Sequence, residues 1–335
     1  MDAIDARGVA VTYADGTEAV RDVSLDIPEG EFFGFLGANG AGKTTTIKAL
    51  VTLLRPTAGE VTVNGYDVET ESRAVRESIG YMAQETSIDP ELTARENVRF
   101  ACEAYGVPPG DRRGRIADLL ELVDLADVAD KPAKDYSGGM KKRLDVATAL
   151  AHDPPIVFLD EPTTGLDPKA RNRLWDYFRR INDQGTTVFL TTQYLEEADQ
   201  LCDRISVIRD GVIVASGSPT ELKSRVGGDV LEVSLDDPTD ERLARAQDVV
   251  LNTGGLAGDA VATTDDGLSV TSPDARRLGT DLLVALREAG FAVTGFNVRG
   301  PTLDDVFLAI TDEGLDEPNG ATGEGRGTDP AEASQ

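Results

Sequence analysis

A chain of 335 residues with 60 acidic against 33 basic side chains, for a net charge of −27, is long enough for one large domain and a small one. Such a charge excludes the basic face that nucleic acid requires, so no nucleic-acid partner is expected. No run approaches the roughly 18 consecutive apolar residues that cross a bilayer, and Met1-Asp2-Ala3-Ile4-Asp5 has no basic, apolar leader, so a cytosolic chain is expected.

In chain order, Val9-Ala10-Val11-Thr12-Tyr13 and Val23-Ser24-Leu25-Asp26-Ile27 alternate with period two and predict strands. The apolar run Phe32-Phe33-Gly34-Phe35-Leu36 predicts a buried strand, followed by Gly37-Ala38-Asn39-Gly40-Ala41-Gly42-Lys43-Thr44-Thr45 and a helix over 44–54. Val61-Thr62-Val63 follows a Pro56 to Gly59 turn, and residues 95–150 carry helical spacing, with Ile116, Leu119, Leu120, Leu122 and Val123 on one face. Ile156-Val157-Phe158-Leu159 and Thr187-Val188-Phe189-Leu190 read as strands buried on both faces. With a helix over 169–184 between them they form a βαβ unit, which predicts an α/β fold with a mostly parallel core sheet and an antiparallel N-terminal region.

A boundary is placed near Arg225-Val226-Gly227-Gly228-Asp229, dividing the chain into domains over 1–225 and 226–312. Strands over 231–235, 267–271 and 291–298, with helices over 241–247 and 274–289, predict a small α+β domain of two βαβ-like halves. Residues 313–335 have the Gly, Glu, Asp, Pro and Thr composition of a disordered acidic tail.

The stretch from Gly37 to Thr45 fits G-x-x-x-x-G-K-[ST], a phosphate-binding loop. Glycines let consecutive backbone N–H groups turn toward a polyphosphate, Lys43 reaches its β and γ phosphates, and the Thr44 hydroxyl can ligate Mg²⁺. The positive end of the following helix faces the same anion. The run ending in Asp160-Glu161 puts one carboxylate at a strand end beside the metal and a second where it can polarise the attacking water. Ser137-Gly138-Gly139 at a helix start makes a second anion site. One ATP has one γ-phosphate, so two such sites on one chain point to a dimer that grips each phosphate from both sides.

These motifs, with Gln84 in Ile79-Gly80-Tyr81-Met82-Ala83-Gln84 and with Thr164-Gly165-Leu166-Asp167, follow the order of an ABC-type ATP-binding subunit, which residues 4–225 resemble. The resemblance implies an ABC ATPase domain with a helical signature subdomain, using ATP and Mg²⁺. It implies that Tyr13 stacks on adenine, that Gly37, Asn39, Gly40, Gly42, Lys43, Thr44 and Thr45 hold phosphates and metal, and that Gln84 and Asp160 approach the metal. Glu161 is implied as catalytic base, while Ser137, Gly138, Gly139 and Asp167 face the ATP of a second subunit.

Two positions depart from the family pattern. Tyr136-Ser137-Gly138-Gly139-Met140 replaces the usual Leu-Ser-Gly-Gly-Gln, and the switch position in Thr191-Thr192-Gln193-Tyr194-Leu195 carries Gln193 in place of His. A Gln amide can donate to a γ-phosphate but carries no proton or positive charge. These departures, Glu196-Glu197-Ala198-Asp199 and Pro301-Thr302-Leu303-Asp304-Asp305-Val306-Phe307 resemble the daunorubicin-resistance branch. That branch implies a homodimer on the cytoplasmic face of the membrane, powering efflux through a separate ABC-2 type permease. Export of another cargo, such as a lipid or polysaccharide, is the alternative; a soluble non-transport ABC protein fits the single cassette and the charge less well, and a small-molecule kinase lacks Ser137-Gly138-Gly139.

Eight lysines against twenty-five arginines, in so acidic a chain, point to a surface adapted to high salt. The one histidine, His152, and the two cysteines, Cys102 and Cys202, read as structural.

Overall fold

The computed structural model describes residues 2–312. The acidic tail anticipated over 313–335 lies outside the described residues. Strands β1 (Asp2–Thr12) and β2 (Glu18–Pro28) form a hairpin with alternating burial, its turn closed where Asp15 Oδ1 accepts the Thr17 N–H at 3.0 Å. Next come β3 (Phe32–Leu36), buried at all five residues, α1 (Lys43–Leu50), β4 (Ala58–Val63), β5 (Tyr66–Asp67), α2 (Ser72–Ser78) and β6 (Ile79–Met82).

The helical stretch resolves into three helices, each with its own start signal. Helix α3 (Ala94–Ala104) begins at a Thr93/Glu96 capping box. Helix α4 (Pro109–Leu122) opens on proline, whose missing N–H costs nothing in a first turn, and α5 (Gly138–Ala149) starts at Ser137. Then follow β7 (Ile156–Asp160), α6 (Pro168–Asp183) capped by Asp167, β8 (Thr187–Thr192), α7 (Leu195–Leu201), β9 (Arg204–Arg209), β10 (Val212–Gly217) and α8 (Pro219–Ser224).

One ten-stranded sheet runs β5-β4-β1-β2-β10-β9-β3-β8-β7-β6. Its β9-β3-β8-β7-β6 half is parallel, and the β5-β4-β1-β2 end is antiparallel, as the sequence pattern predicts. Register then builds the site. Leu36 pairs with Thr192, and Thr191 with Asp160, so the loop after β3, the switch after β8 and the acidic pair ending β7 emerge side by side. Beneath them Phe189 meets Phe33, Phe35 and Phe158 at centroid distances of 5.3, 5.7 and 5.4 Å, a well-filled apolar floor that keeps these strand ends in place.

A second sheet, β12-β13-β11-β14, is built from β11 (Asp229–Leu235), α9 (Asp240–Gly254), β12 (Val261–Thr264), β13 (Gly267–Ser272), α10 (Ala275–Glu288) and β14 (Val293–Arg299). Every pairing in it is antiparallel, whereas the βαβ-like reading implied parallel neighbours. The difference comes from β12, a short strand with only Val261 buried, too weak a pattern to read from sequence, which forms a hairpin with β13 and reverses the chain. This sheet has its own apolar cluster with α9 and α10. The last helix, α11 (Leu303–Asp312), instead lays Leu303 and Val306 into the core of the large unit, against α7 and α8.

Candidate functional site

The loop between β3 and α1 adopts its shape because two glycines sit where no side chain fits. A Cβ at Gly37 would stand 2.4 Å from the Ile208 carbonyl oxygen, and one at Gly42, at φ +112°, 2.5 Å from that of Ala19. Within this loop Lys43 folds back, and Nζ donates to the carbonyls of Gly37 at 2.8 Å and Ala38 at 3.2 Å. It also forms an ion pair with Glu161 Oε1 at 3.2 Å, both side chains being almost fully buried.

Glu161 is held from several sides. Its backbone is left-handed at φ +47°, an unusual conformation for a non-glycine residue and one that re-aims the side chain at the strand end. Its N–H is taken by Thr191, through Oγ1 and the carbonyl, each at 3.1 Å. Oε2 accepts from Gln84 Nε2 at 3.3 Å and Thr164 Oγ1 at 3.4 Å. Gln84 therefore presents its amide nitrogen to the carboxylate and keeps its oxygen for another partner.

Asp160, fully buried, accepts Thr191 Oγ1 at 2.6 Å and Thr44 Oγ1 at 3.3 Å on Oδ1. Its Oδ2 is buried without a partner. Burial pushes this carboxyl above the usual range, against the pull of those two hydroxyls. An orphaned carboxylate oxygen beside a threonine hydroxyl and a glutamine oxygen suits a hard, oxygen-loving cation such as Mg²⁺. Among the described residues no three His, Cys, Asp or Glu side chains cluster as a self-sufficient metal site, so a cation here would need further ligands such as phosphate oxygens and water.

These groups surround a cavity of about 430 Å³ lined by Asn39, Gly40, Gly42, Lys43, Thr44, Thr45, Gln84, Glu161 and Gln193, all anticipated, together with Ala19 and Thr164. Tyr13, 39% exposed, does not line the cavity but reaches one of its lining residues, its hydroxyl lying 3.0 Å from Thr45 Oγ1. Gly37 lines a smaller cavity of about 240 Å³, which Asn39, Thr192, Gln193 and Phe307 of α11 also border. Ser137, Gly138, Gly139 and Asp167 line neither cavity. Ser137 Oγ accepts the Met140 N–H at 3.3 Å, Asp167 Oδ1 accepts that of Ala170 at 2.9 Å, and both residues are exposed.

Sequence reasoning missed three contributors. Thr191 ties both acidic residues together, its hydroxyl donating to the Asp160 carboxylate and accepting the Glu161 backbone N–H, yet reads only as the end of an apolar strand. Lys142 donates to the Gln84 carbonyl at 2.8 Å, and burial pushes its ammonium below the ordinary range; its setting in a basic run hid it. Phe307 reaches the cavity from more than a hundred residues downstream, where no local signal exists. His152 stacks on Tyr105 with centroids 3.9 Å apart and lines neither cavity, as expected of a structural residue.

The same residues connect this chain to known proteins. A family model described as "ABC transporter" matches residues 20–164, and one described as "ATP-binding protein DrrA1-3-like, C-terminal domain" matches residues 217–311. The daunorubicin resistance ATP-binding protein DrrA3 of Streptomyces coeruleorubidus is 43% identical over 309 residues, covering 92% of this chain and 96% of that one. This chain belongs to the ABC transporter ATP-binding proteins. Another relative in this family, the daunorubicin/doxorubicin resistance ATP-binding protein DrrA of Streptomyces peucetius, is 42% identical, with 94% of each chain covered. Among solved structures, an ATP-binding subunit of an ABC transporter superposes with a TM-score of 0.61 at 28% identity, over 66% of this chain and 92% of that one. A dimeric ATP-binding cassette in a post-hydrolysis state, bound to ADP and Pi, gives a TM-score of 0.59 at 30% identity, over 64% and 98%. ABC ATP-binding proteins bind and hydrolyse ATP.

Proposed function

We propose that this chain is the ATP-hydrolysing subunit of a drug exporter, working as a homodimer on the cytoplasmic face of a separate ABC-2 type permease. The observation that carries the reading is the split between the two anion sites. Lys43, Thr44 and Glu161 line one cavity, with Asp160 buried against Thr44, while Ser137 and Gly138 lie exposed and none of Ser137, Gly138 and Gly139 lines it. A second copy would bring its Ser137, Gly138, Gly139 and Asp167 to the open side of that cavity.

In this reading Tyr13 stacks on adenine, and the loop N–H groups with Lys43 bind the phosphates. Glu161 takes a proton from water as the water oxygen bonds to the γ-phosphorus, and the bond to the β–γ bridging oxygen breaks, leaving ADP and phosphate. The Gln193 amide donates to the γ-phosphate. Thr44, Gln84 and Asp160 would hold Mg²⁺, which neutralises phosphate charge when bound.

No described helix is long and apolar enough to cross a membrane, so transport needs a partner that does. A groove of about 670 Å³ bordered by Leu53, Tyr81 and Tyr105 and also by the charged Arg73, Arg76 and Glu77, with Leu53 59% exposed, would suit a permease helix of mixed character. The division into a cassette over 1–225 and a smaller unit over 226–312 belongs to this reading, with α11 at the end of the second stretch returning to pack on the cassette, as does a surface suited to high salt. Drug export is favoured over other cargo by relatives named for drug resistance along nearly the whole chain. The Nod factor export ATP-binding protein I of Burkholderia orbicola, 42% identical over 70% of this chain, supports an alternative in which the cargo is different.

Ser137→Arg tests the shared site. It leaves each copy's own cavity intact, so ATP binding should persist while hydrolysis falls at least about 100-fold. Wild-type turnover by this variant would reject the composite site.

A further inference from the structure

The signature opens at Tyr136, 6% exposed in the core of the large unit, and passes at once to Ser137, which is exposed. A leucine at position 136 would be held by apolar contact alone. The Tyr136 hydroxyl adds a bond of fixed direction, donated to the Val128 carbonyl at 2.6 Å, and the Tyr136 N–H is taken by the Ala133 carbonyl at 3.1 Å. On the far side of Ser137-Gly138-Gly139, Arg143 of α5 donates through Nη1 to the carbonyls of Val123 at 2.8 Å and Asp124 at 3.2 Å.

Both anchors therefore end on one turn, residues 123–128, which follows α4. A helix end leaves its last carbonyls without intrahelical donors, and Arg143 supplies one there. Asp124 reverses the chain at φ +51°, and its Oδ2 accepts the hydroxyl of the buried Tyr177 of α6 at 2.5 Å. Helix α6 is capped by Asp167. Ser137 and Asp167, the two groups assigned to the ATP of a second copy, are thus referenced to the same turn. Ser137 Oγ accepts the Met140 N–H and so keeps its own proton for an anion; where that proton can reach depends on where residue 137 is held.

We propose that the 123–128 turn is a bracket that sets the signature, with Tyr136 and Arg143 as positioning residues that place Ser137 for the γ-phosphate bound by a second copy. This rests on the reading of the site as shared between two copies, and it gives tyrosine at 136 a purpose that leucine does not serve.

The test uses the full-length chain carrying Tyr136→Phe, which keeps the ring and loses the hydroxyl, with Ser137→Ala as reference. Steady-state MgATP hydrolysis and melting are measured, and MgATP-dependent dimer formation is followed by analytical ultracentrifugation in the Glu161→Gln background, where nucleotide is not consumed. Tyr136→Phe should lower kcat about fivefold with KM within about twofold, and weaken the ATP-bound dimer by a similar factor. Binding of a fluorescent ATP analogue to each copy's own cavity should stay within about twofold of wild type. The double variant Tyr136→Phe/Ser137→Ala should be no slower than Ser137→Ala alone, because both act through one hydroxyl. A lower melting temperature with wild-type kcat and dimer affinity would make Tyr136 a packing residue only and overturn the proposal, as would losses that multiply with those of Ser137→Ala. If Tyr136→Phe fails to melt cooperatively, Arg143→Met, which keeps the stem and loses the donors, decides by the same criteria. Ser137→Ala at wild-type rate and dimer affinity would instead remove the shared-site reading, and the proposal with it.

Discussion

Lys43 Nζ stands 3.2 Å from Glu161 Oε1, an ion pair between two side chains each less than a tenth exposed. The cation assigned to the phosphates is thus neutralised by the carboxylate assigned to the water. In the proposed reading nucleotide would compete with Glu161 for Lys43 and so release the base for catalysis. Phosphate binding and base activation would then be one event.

Glu161→Gln should therefore do two things. Hydrolysis should fall at least about 100-fold, since an amide cannot take the proton. Nucleotide-free protein should melt a few degrees lower, because the buried Lys43 loses a charged partner, while the gain in melting temperature on adding MgATP should exceed that of wild type. Scanning fluorimetry with and without MgATP checks both signs, and an unchanged turnover rate removes Glu161 as the base.

Two loop glycines should respond unequally to alanine. Gly42 combines φ +112° with a carbonyl oxygen 2.5 Å from the added Cβ, whereas Gly40, at φ +83°, has nothing within 4 Å. Gly40→Ala should cost about 1 kcal/mol of backbone strain and weaken ATP binding only a few-fold. Gly42→Ala must displace backbone and should weaken binding at least about 100-fold. Titrating a fluorescent ATP analogue ranks them, and equal losses would mean that strain, not space, limits the loop.

His152, being the chain's one histidine, offers a clean pH test. Burial pushes its imidazole below the ordinary value of 6.5, so the folded state holds the neutral ring and the unfolded state takes up a proton first. The resulting stability is fully present above about pH 6.5 and is lost as pH falls from there toward the lowered folded value. His152→Phe keeps an aromatic ring against Tyr105 without the titration. The difference between the two stability curves, from about pH 7.5 to 5.5, should show wild type losing more; parallel curves would refute this.

A net charge of −27 predicts strong salt dependence. Screening shortens the range of carboxylate repulsion, so the melting midpoint should climb by about 10 °C or more between about 0.1 M and 2 M KCl. Full stability in dilute buffer would discard the high-salt reading.

Much of the site was legible because its parts are contiguous motifs whose residue types answer a local chemical demand. The segment from Gly37 to Thr45 needs small residues and a lysine in sequence, and Asp160-Glu161 ends a run that only a buried strand explains. What escaped depends on tertiary neighbours. Thr191 acquires its role only because β7 and β8 lie in register. Lys142 acquires its role from the approach of α5 to the Gln84 segment. In the second sheet the alternation of β11, β13 and β14 was readable, but their antiparallel order was set by the weakly patterned β12.

Helix α11 has a consequence for how the chain is wired. Arg299 Nη2 donates to Asp305 Oδ1 at 3.0 Å and Thr302 N–H to Asp305 Oδ2 at 2.7 Å, securing the helix start, after which Leu303 and Val306 enter the core of the large unit. The small sheet is thus spliced into a loop of the cassette, entered after α8 and left at α11. Truncating the chain anywhere between β10 and β14 would remove part of the cassette's own interior, and a tug on the small sheet would be felt at both of its tethers, one of which ends at Phe307 beside the nucleotide loop.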